Sequence, residues 1–199
     1  LQLREEQLIL NLATKPTVKQ RVCRFPYGEK LRLPLEEFWL ITEGIVKSYT
    51  FNEDGEIITL GYWSKDDVIG QALSAIQPYF CECMTNVELL IISADELDKF
   101  PVGILHHCQR LQQLTYLVRK QPIEERFLCT LKWLAVRFGY SVEKGNLIDL
   151  RLTHQELAEL IGVTRVTITK LINKLEREGV IFRSENRCIG LTKKAIANI

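Results

Sequence analysis

The sequence predicts an α+β protein built in three parts: an N-terminal antiparallel β-domain, a long connecting helix, and a C-terminal pair of short helices flanked by strands. Three observations carry this expectation. Residues 21–93 break into short β-branched and aromatic runs separated by Gly, Asn and Asp. Residues 102–121 then place apolar side chains at spacings of three and four. Beyond them, Thr153-His154-Gln155-Glu156 has the form of a capping box, which opens a helix.

Composition narrows the class. Over 199 residues, apolar residues are 46%, charged residues 26% and aromatic residues 9%, which argues against a disordered, collagenous or disulfide-dominated chain. No apolar run reaches the roughly 18–20 residues that cross a bilayer. Leu1–Leu12 carries Arg4, Glu5 and Glu6, unlike the apolar stretch of a secretory signal, so the expected location is the cytoplasm, away from membranes. The net charge of +1 conceals a polarity: residues 123–199 hold 13 Lys and Arg against 9 Asp and Glu, while the preceding part is net acidic. A basic C-terminal module suits an anionic partner.

Taken in order, Leu8, Ile9 and Leu12 predict a short helix over the first 15 or so residues, ended near Pro16. Strands follow at Val22–Phe25, Phe38–Thr42, Ile45–Phe51, Ile57–Trp63, Val68–Ile69 and Val87–Ser93, the signature of an antiparallel barrel or sandwich. Asn52-Glu53-Asp54-Gly55 is the clearest hairpin turn, because Asp and Gly tolerate positive φ. Ala94–Phe100 is helical in character.

On the long helix Val102–Gln121, Leu105, Cys108, Leu111, Leu114, Leu117 and Val118 form an apolar stripe. A helix joining two modules has little core of its own to pack on, so pairing with a second subunit is one way to bury it; lying on its own barrel is the other. Pro122 fits the start of the next helix, Ile123–Tyr140. The expected division is 1–100 for the β-domain with flanking helices, 101–121 for the dimerisation helix and 122–199 for the C-terminal module.

In that module Leu157, Leu160 and Ile161 give the first short helix a buried face, Gly162-Val163-Thr164 makes the turn, and Ile168, Leu171, Ile172 and Leu175 form the inward stripe of the second. Two helices joined by a Gly-containing turn are a helix-turn-helix, whose second helix is offered to the DNA major groove. Its outward face holds Arg165, Val166, Thr169, Lys170 and Asn173, and no acid occurs from Gly162 to Leu175. Arg165 and Lys170 are the candidate base readers, supported by the methyl groups of Val166 and Thr169. Thr153, His154, Gln155, Thr164, Thr167 and Lys174 are the candidates for the DNA backbone. Strands expected at Leu147–Leu152, Val180–Arg183 and Cys188–Leu191 make a winged helix, with Arg183 and Arg187 on the hairpin near the DNA or in solvent.

Leu152–Glu178, reading L-T-H-Q-E-L-A-E-L-I-G-V-T-R-V-T-I-T-K-L-I-N-K-L-E-R-E, resembles the CRP/FNR family of bacterial transcription regulators, and the order of parts extends the likeness over nearly the whole chain. The resemblance implies a β-roll like the cyclic-nucleotide-binding domain, a dimerisation helix and a C-terminal winged helix-turn-helix. It also implies a non-enzymatic homodimer that binds a palindromic site and works with RNA polymerase. Where the family usually has Arg-Glu-x-x-x-Arg, this chain has Arg165-Val166-x-x-x-Lys170, closer to the cyanobacterial nitrogen-control members. The cyclic-nucleotide cassette is missing after Gly70-Gln71, and no Lys or Arg lies between Lys65 and Lys99 to meet a buried phosphate. The expectation is that the β-roll does not hold cyclic AMP in the usual manner; no other cofactor or effector is assigned.

Two further readings compete. Cys81 and Cys83 would share one side of a strand and, with Cys23, compose a thiol switch or cluster site, or else act as small buried hydrophobes. Tyr62, Trp63, Tyr79 and Phe80 would serve a protein-binding adaptor if exposed. A cupin-like enzyme lacks its ligands, because residues 21–93 contain no histidine.

Overall fold

A computed structural model describes residues 21–196; the helix expected over the first 15 residues lies outside them. The chain divides into two compact units, Leu1–Gln112 and Gln113–Ile199.

The first unit contains eight strands among the described residues: β1 (Arg21–Phe25), β2 (Lys30–Leu31), β3 (Glu37–Glu43), β4 (Val46–Phe51), β5 (Ile57–Trp63), β6 (Val68–Ile69), β7 (Phe80–Cys83) and β8 (Val87–Ser93). They form two antiparallel sheets, ordered β1-β8-β3-β6 and β2-β7-β4-β5. Trp39, Ile41, Ile69 and Leu89 from the first sheet meet Val46, Trp63, Cys81 and Cys83 from the second in one buried cluster. The first sheet is covered on its other face too, where Phe38, Val68, Leu90 and Ile92 pack with Leu97, Phe100 and Ile104. Burial on both faces explains why Val87–Ile92 reads as a nearly unbroken apolar run.

Asn52 sets the β4–β5 hairpin: its side-chain oxygen accepts from the amides of Asp54 and Glu56 at 3.0 and 2.8 Å, and Gly55 follows with φ of +77°. The strands β2 and β7 are additions to the expected set. β2 is only two residues long, and the Phe-Cys-Glu-Cys of β7 pairs with β2 and β4 rather than through a local hairpin. Ala94–Lys99 forms a 3-10 turn where a helical segment is expected.

The long helix α1 spans Pro101–Val118. It stops three residues before the expected Gln121, the one residue whose helical geometry Pro122 disfavours. One side packs on the β-domain: Gly103 and His107 are buried, His107 Nδ1 lies 3.0 Å from the Val68 carbonyl, and Arg110 Nε lies 3.7 Å from Asp67. The apolar stripe is divided. Leu105 and Leu111 are 44% and 39% exposed and Cys108 is exposed, whereas Leu114 and Leu117 are buried within the single chain and Val118 is half-buried.

In the second unit, which takes in the last turns of α1, α2 (Ile123–Phe138) buries Phe127, Leu131, Leu134, Ala135 and Phe138. It is followed by β9 (Gly139–Val142), β10 (Gly145–Ile148), α3 (His154–Ile161), α4 (Arg165–Arg177), β11 (Ile181–Arg183), β12 (Ile189–Thr192) and α5 (Lys193–Ile196). Its antiparallel sheet is ordered β11-β12-β10-β9. The helix expected to reach Tyr140 ends at Phe138 because Gly139 starts β9, and the strand expected at Leu147–Leu152 is instead β10, ending at Ile148. Asn146 fastens this hairpin to the helix by donating to the Ala135 carbonyl at 3.2 Å.

Candidate nucleic-acid interface

The interface begins with the two caps read from the sequence. The Thr153 hydroxyl accepts from the Glu156 amide at 3.1 Å while the Glu156 carboxylate accepts from the Thr153 amide at 2.7 Å, closing the capping box that starts α3. Leu157, Ala158, Leu160 and Ile161 seal its inner face. Gly162 then adopts the left-handed conformation, φ +69° and ψ +49°, and the chain turns over the three residues Gly162–Thr164. Thr164 caps α4 by accepting from the Thr167 amide at 3.2 Å. Arg126 braces the turn from α2, donating to the Lys120 and Ile161 carbonyls, each at 3.0 Å.

With Ile168, Ile172 and Leu175 buried, α4 presents the opposite face outward. Arg165, Lys170 and Asn173 are exposed, and Val166 is 62% exposed. Thr169 is half-buried because it is engaged: its hydroxyl donates to the Arg165 carbonyl at 3.0 Å and lies 2.8 Å from His154 Nδ1.

At the start of α4 a cleft of about 490 Å³ opens, lined by Arg151, Leu152, Thr153, His154, Gln155, Arg165, Arg183, Arg187 and Ile189. Four arginines and no carboxylate line it, and one of them, Arg183, has its Nε 3.4 Å from the Glu176 carboxylate of α4. The N-terminal ends of α3 and α4 both border this space, and the free amides at such ends add positive potential. Burial, then Arg183 and Arg165, hold the His154 pKa below its ordinary value. The wing turn that carries Arg187 is closed by Ser184, whose amide donates to the Cys188 carbonyl at 3.0 Å.

Lys174 has a different setting from the other candidates. Its Nζ donates to both Glu124 carboxylate oxygens, at 2.8 and 2.6 Å, and lies 3.9 Å from Glu178. Hydrogen bonding to Glu124 raises its pKa. The absence of acids along Gly162–Leu175 is therefore offset at this position by acids from α2 and from the end of α4.

Arg151 escaped the sequence reading, having no periodic or motif context of its own; Arg126 escaped as well, because its partners are carbonyls from distant segments. The signal that points to Arg151 is its place one residue before the Leu152-Thr153 start of the capping box.

The competing sites come apart. Cys81 and Cys83 do share one side of β7, but that side faces the core, and burial pushes both thiols up to about 12. Cys23 is half-buried on β1 in the other sheet, opposite Leu89. Among the described residues no group of three or more His, Cys, Asp and Glu is placed to hold a metal ion. Of the four aromatics of the adaptor reading, Tyr62 and Trp63 are each 1% exposed and belong to the core, Tyr79 is half-buried and Phe80 is exposed. No described helix is long and apolar enough to cross a membrane.

Residues 125–198 match the model of the Crp-like helix-turn-helix domain. The chain is 40% identical over 156 residues to the regulatory protein CysR of Synechococcus elongatus, covering 76% of this chain and 74% of that protein. It is 29% identical to the global nitrogen regulator of Synechocystis over 82% of this chain and 76% of the relative. In structure it resembles a CRP-family transcriptional regulator from Thermus thermophilus, with a TM-score of 0.75 at 22% identity, covering 88% of this chain and 93% of the other. A cyclic nucleotide-binding domain containing protein from Listeria monocytogenes gives 0.76 at 18% identity, covering 96% and 99%. Joined to the capped helix pair, the Gly162 turn and the wing strands, these likenesses place the chain in the CRP/FNR family.

Proposed function

We propose that the protein is a sequence-specific DNA-binding transcription regulator that acts as a homodimer and catalyses no reaction. The observation that carries this reading is the acid-free cleft in which Arg151, His154, Arg165, Arg183 and Arg187 converge beside the exposed start of α4. Arginines on three separate segments suit a phosphate backbone, and a helix face bearing Arg165, Val166, Thr169 and Lys170 suits base edges in a major groove.

In this reading Arg165 and Lys170 read bases, with Val166 and Thr169 beside them. Thr153, His154, Gln155, Thr164 and Thr167 hold the backbone, and Lys174 joins them if it exchanges Glu124 for phosphate. Leu105, Cys108 and Leu111 supply the exposed part of the dimer seam on α1 with half-buried Val118 beyond them, while Leu114 and Leu117 of the same stripe are covered by their own chain. Residues 1–100 form the effector-like domain, 101–121 the dimer helix and 122–199 the DNA-binding domain. RNA polymerase is the further partner, the cytoplasm the compartment, and cyclic AMP is not the effector.

A homodimer sets two recognition helices on one face of the duplex, so half-sites fall about one turn, roughly 34 Å, apart. Selection of binding sites from random duplex DNA tests this: an enriched palindrome with that spacing is expected, and enrichment of no sequence would refute the reading.

A further inference from the structure

The Thr169 hydroxyl donates its hydrogen to the Arg165 carbonyl at 3.0 Å. A hydroxyl carries one proton, so the 2.8 Å contact between Thr169 Oγ1 and His154 Nδ1 takes its hydrogen from the imidazole ring. With the Thr169 hydrogen on the Arg165 carbonyl, neutral His154 carries its own hydrogen on Nδ1. Its Nε2 is left with a bare lone pair and has no hydrogen-bond partner among the described residues.

That ring lines the arginine cleft. The charged groups around it are Arg151 from the segment before α3, Arg165 from α4, Arg183 from β11 and Arg187 from the wing turn. On its own helix Glu156 is engaged in capping Thr153, and Glu159 accepts from Gln155 at 3.2 Å. The charged residues that line the cleft are thus cations, of which Arg183 and Arg165 oppose a charge on the ring, although Arg183 Nε also lies 3.4 Å from the Glu176 carboxylate of α4. A phosphodiester seated among the arginines reverses this balance. It offsets their charge, and a protonated Nε2 can give it a charge-assisted hydrogen bond while Nδ1–H stays with Thr169.

We infer that His154 takes up a proton when a DNA phosphate enters this cleft, so that DNA binding tightens as pH falls and Thr169 stays oriented in both states. The inference rests on the DNA-binding reading above and adds to it a proton as a third participant. His154 is then both a phosphate ligand and a positioning residue for the face of α4. The ordinary neutrality of the free protein's ring agrees with this, since burial and the arginines lower its pKa.

The test uses the full chain and a duplex carrying its selected site. The dissociation constant is measured by fluorescence anisotropy from about pH 5.5 to 8.5 at constant ionic strength, for the wild type and for His154→Gln, whose amide still donates to Thr169 but does not titrate. The wild type is expected to bind about three- to tenfold more tightly at the acidic end, and the variant to lose most of that dependence. In parallel, NMR of the His154 ring in the wild type is expected to show its titration moving to higher pH when the duplex is added. A flat wild-type profile, an undiminished slope in the variant, or an unmoved ring titration overturns proton linkage while leaving DNA binding intact. Absence of sequence-selective binding at every pH overturns the functional reading, and this one with it.

Discussion

The imidazole of His107 lies flat on the indole of Trp63, with ring centroids 4.3 Å apart and planes within 2°. The contact fixes α1 to the β-domain, and burial of the ring lowers its pKa against the opposing pull of the Val68 carbonyl and Asp67. The folded protein therefore binds this proton less readily than the unfolded chain. Stability from this source is fully present above the ordinary histidine value of 6.5 and is lost as pH falls through the lower folded value. His107→Phe keeps a ring against Trp63 and removes the titration. Thermal melts between about pH 8 and 5 are expected to fall less steeply with acid in this variant; superimposable wild-type and variant profiles would contradict the assignment.

Glu124 and Lys174 lie 50 residues apart in sequence and are joined by two hydrogen bonds. If phosphate replaces Glu124 as the partner of Lys174, the pair competes with DNA. Glu124→Gln is then expected to tighten binding to all duplexes alike and to steepen the salt dependence by about one unit of log Kd per log salt concentration. A steepened slope confined to one sequence, or no change at all, would remove Lys174 from the backbone contacts.

The Thr153 cap holds the start of α3, which borders the cleft. Thr153→Ala deletes the acceptor for the Glu156 amide and is expected to lower stability by about 1 kcal/mol, read in a denaturant titration. A variant as stable as the wild type would show that the capping box is dispensable.

The helix pair was legible because its signals are local. Caps, the Gly162 turn and the inward stripes all lie within about two helical turns of the bonds they make, and the structure reproduces them down to the reciprocal Thr153–Glu156 pair. Non-local pairing hid the rest. β7 exists because β2 and β4 receive it, and α2 ends two residues early because Gly139 is drawn into the hairpin that Asn146 ties to Ala135. At the interface, Arg165 announced itself on a periodic face, whereas Arg151 acquires meaning only where the wing brings Arg183 and Arg187 beside it. Lys174 illustrates the opposite case: its own segment is free of acids, yet its carboxylate partner arrives from α2. The stripe on α1 was correctly apolar, but periodicity does not tell which of its members the chain covers itself.

The central claim is that the exposed start of α4 reads DNA, and Arg165 is the side chain on which it rests. Removing it leaves the buried stripe of Ile168, Ile172 and Leu175 intact, so the fold should survive. Binding of Arg165→Ala and the wild type to the selected duplex, and to duplexes changed one base pair at a time, is the most direct measurement. A loss of about 1–3 kcal/mol in affinity is expected, together with relaxed preference at one base pair in each half-site. Affinity and preference both unchanged in a folded Arg165→Ala protein would contradict it.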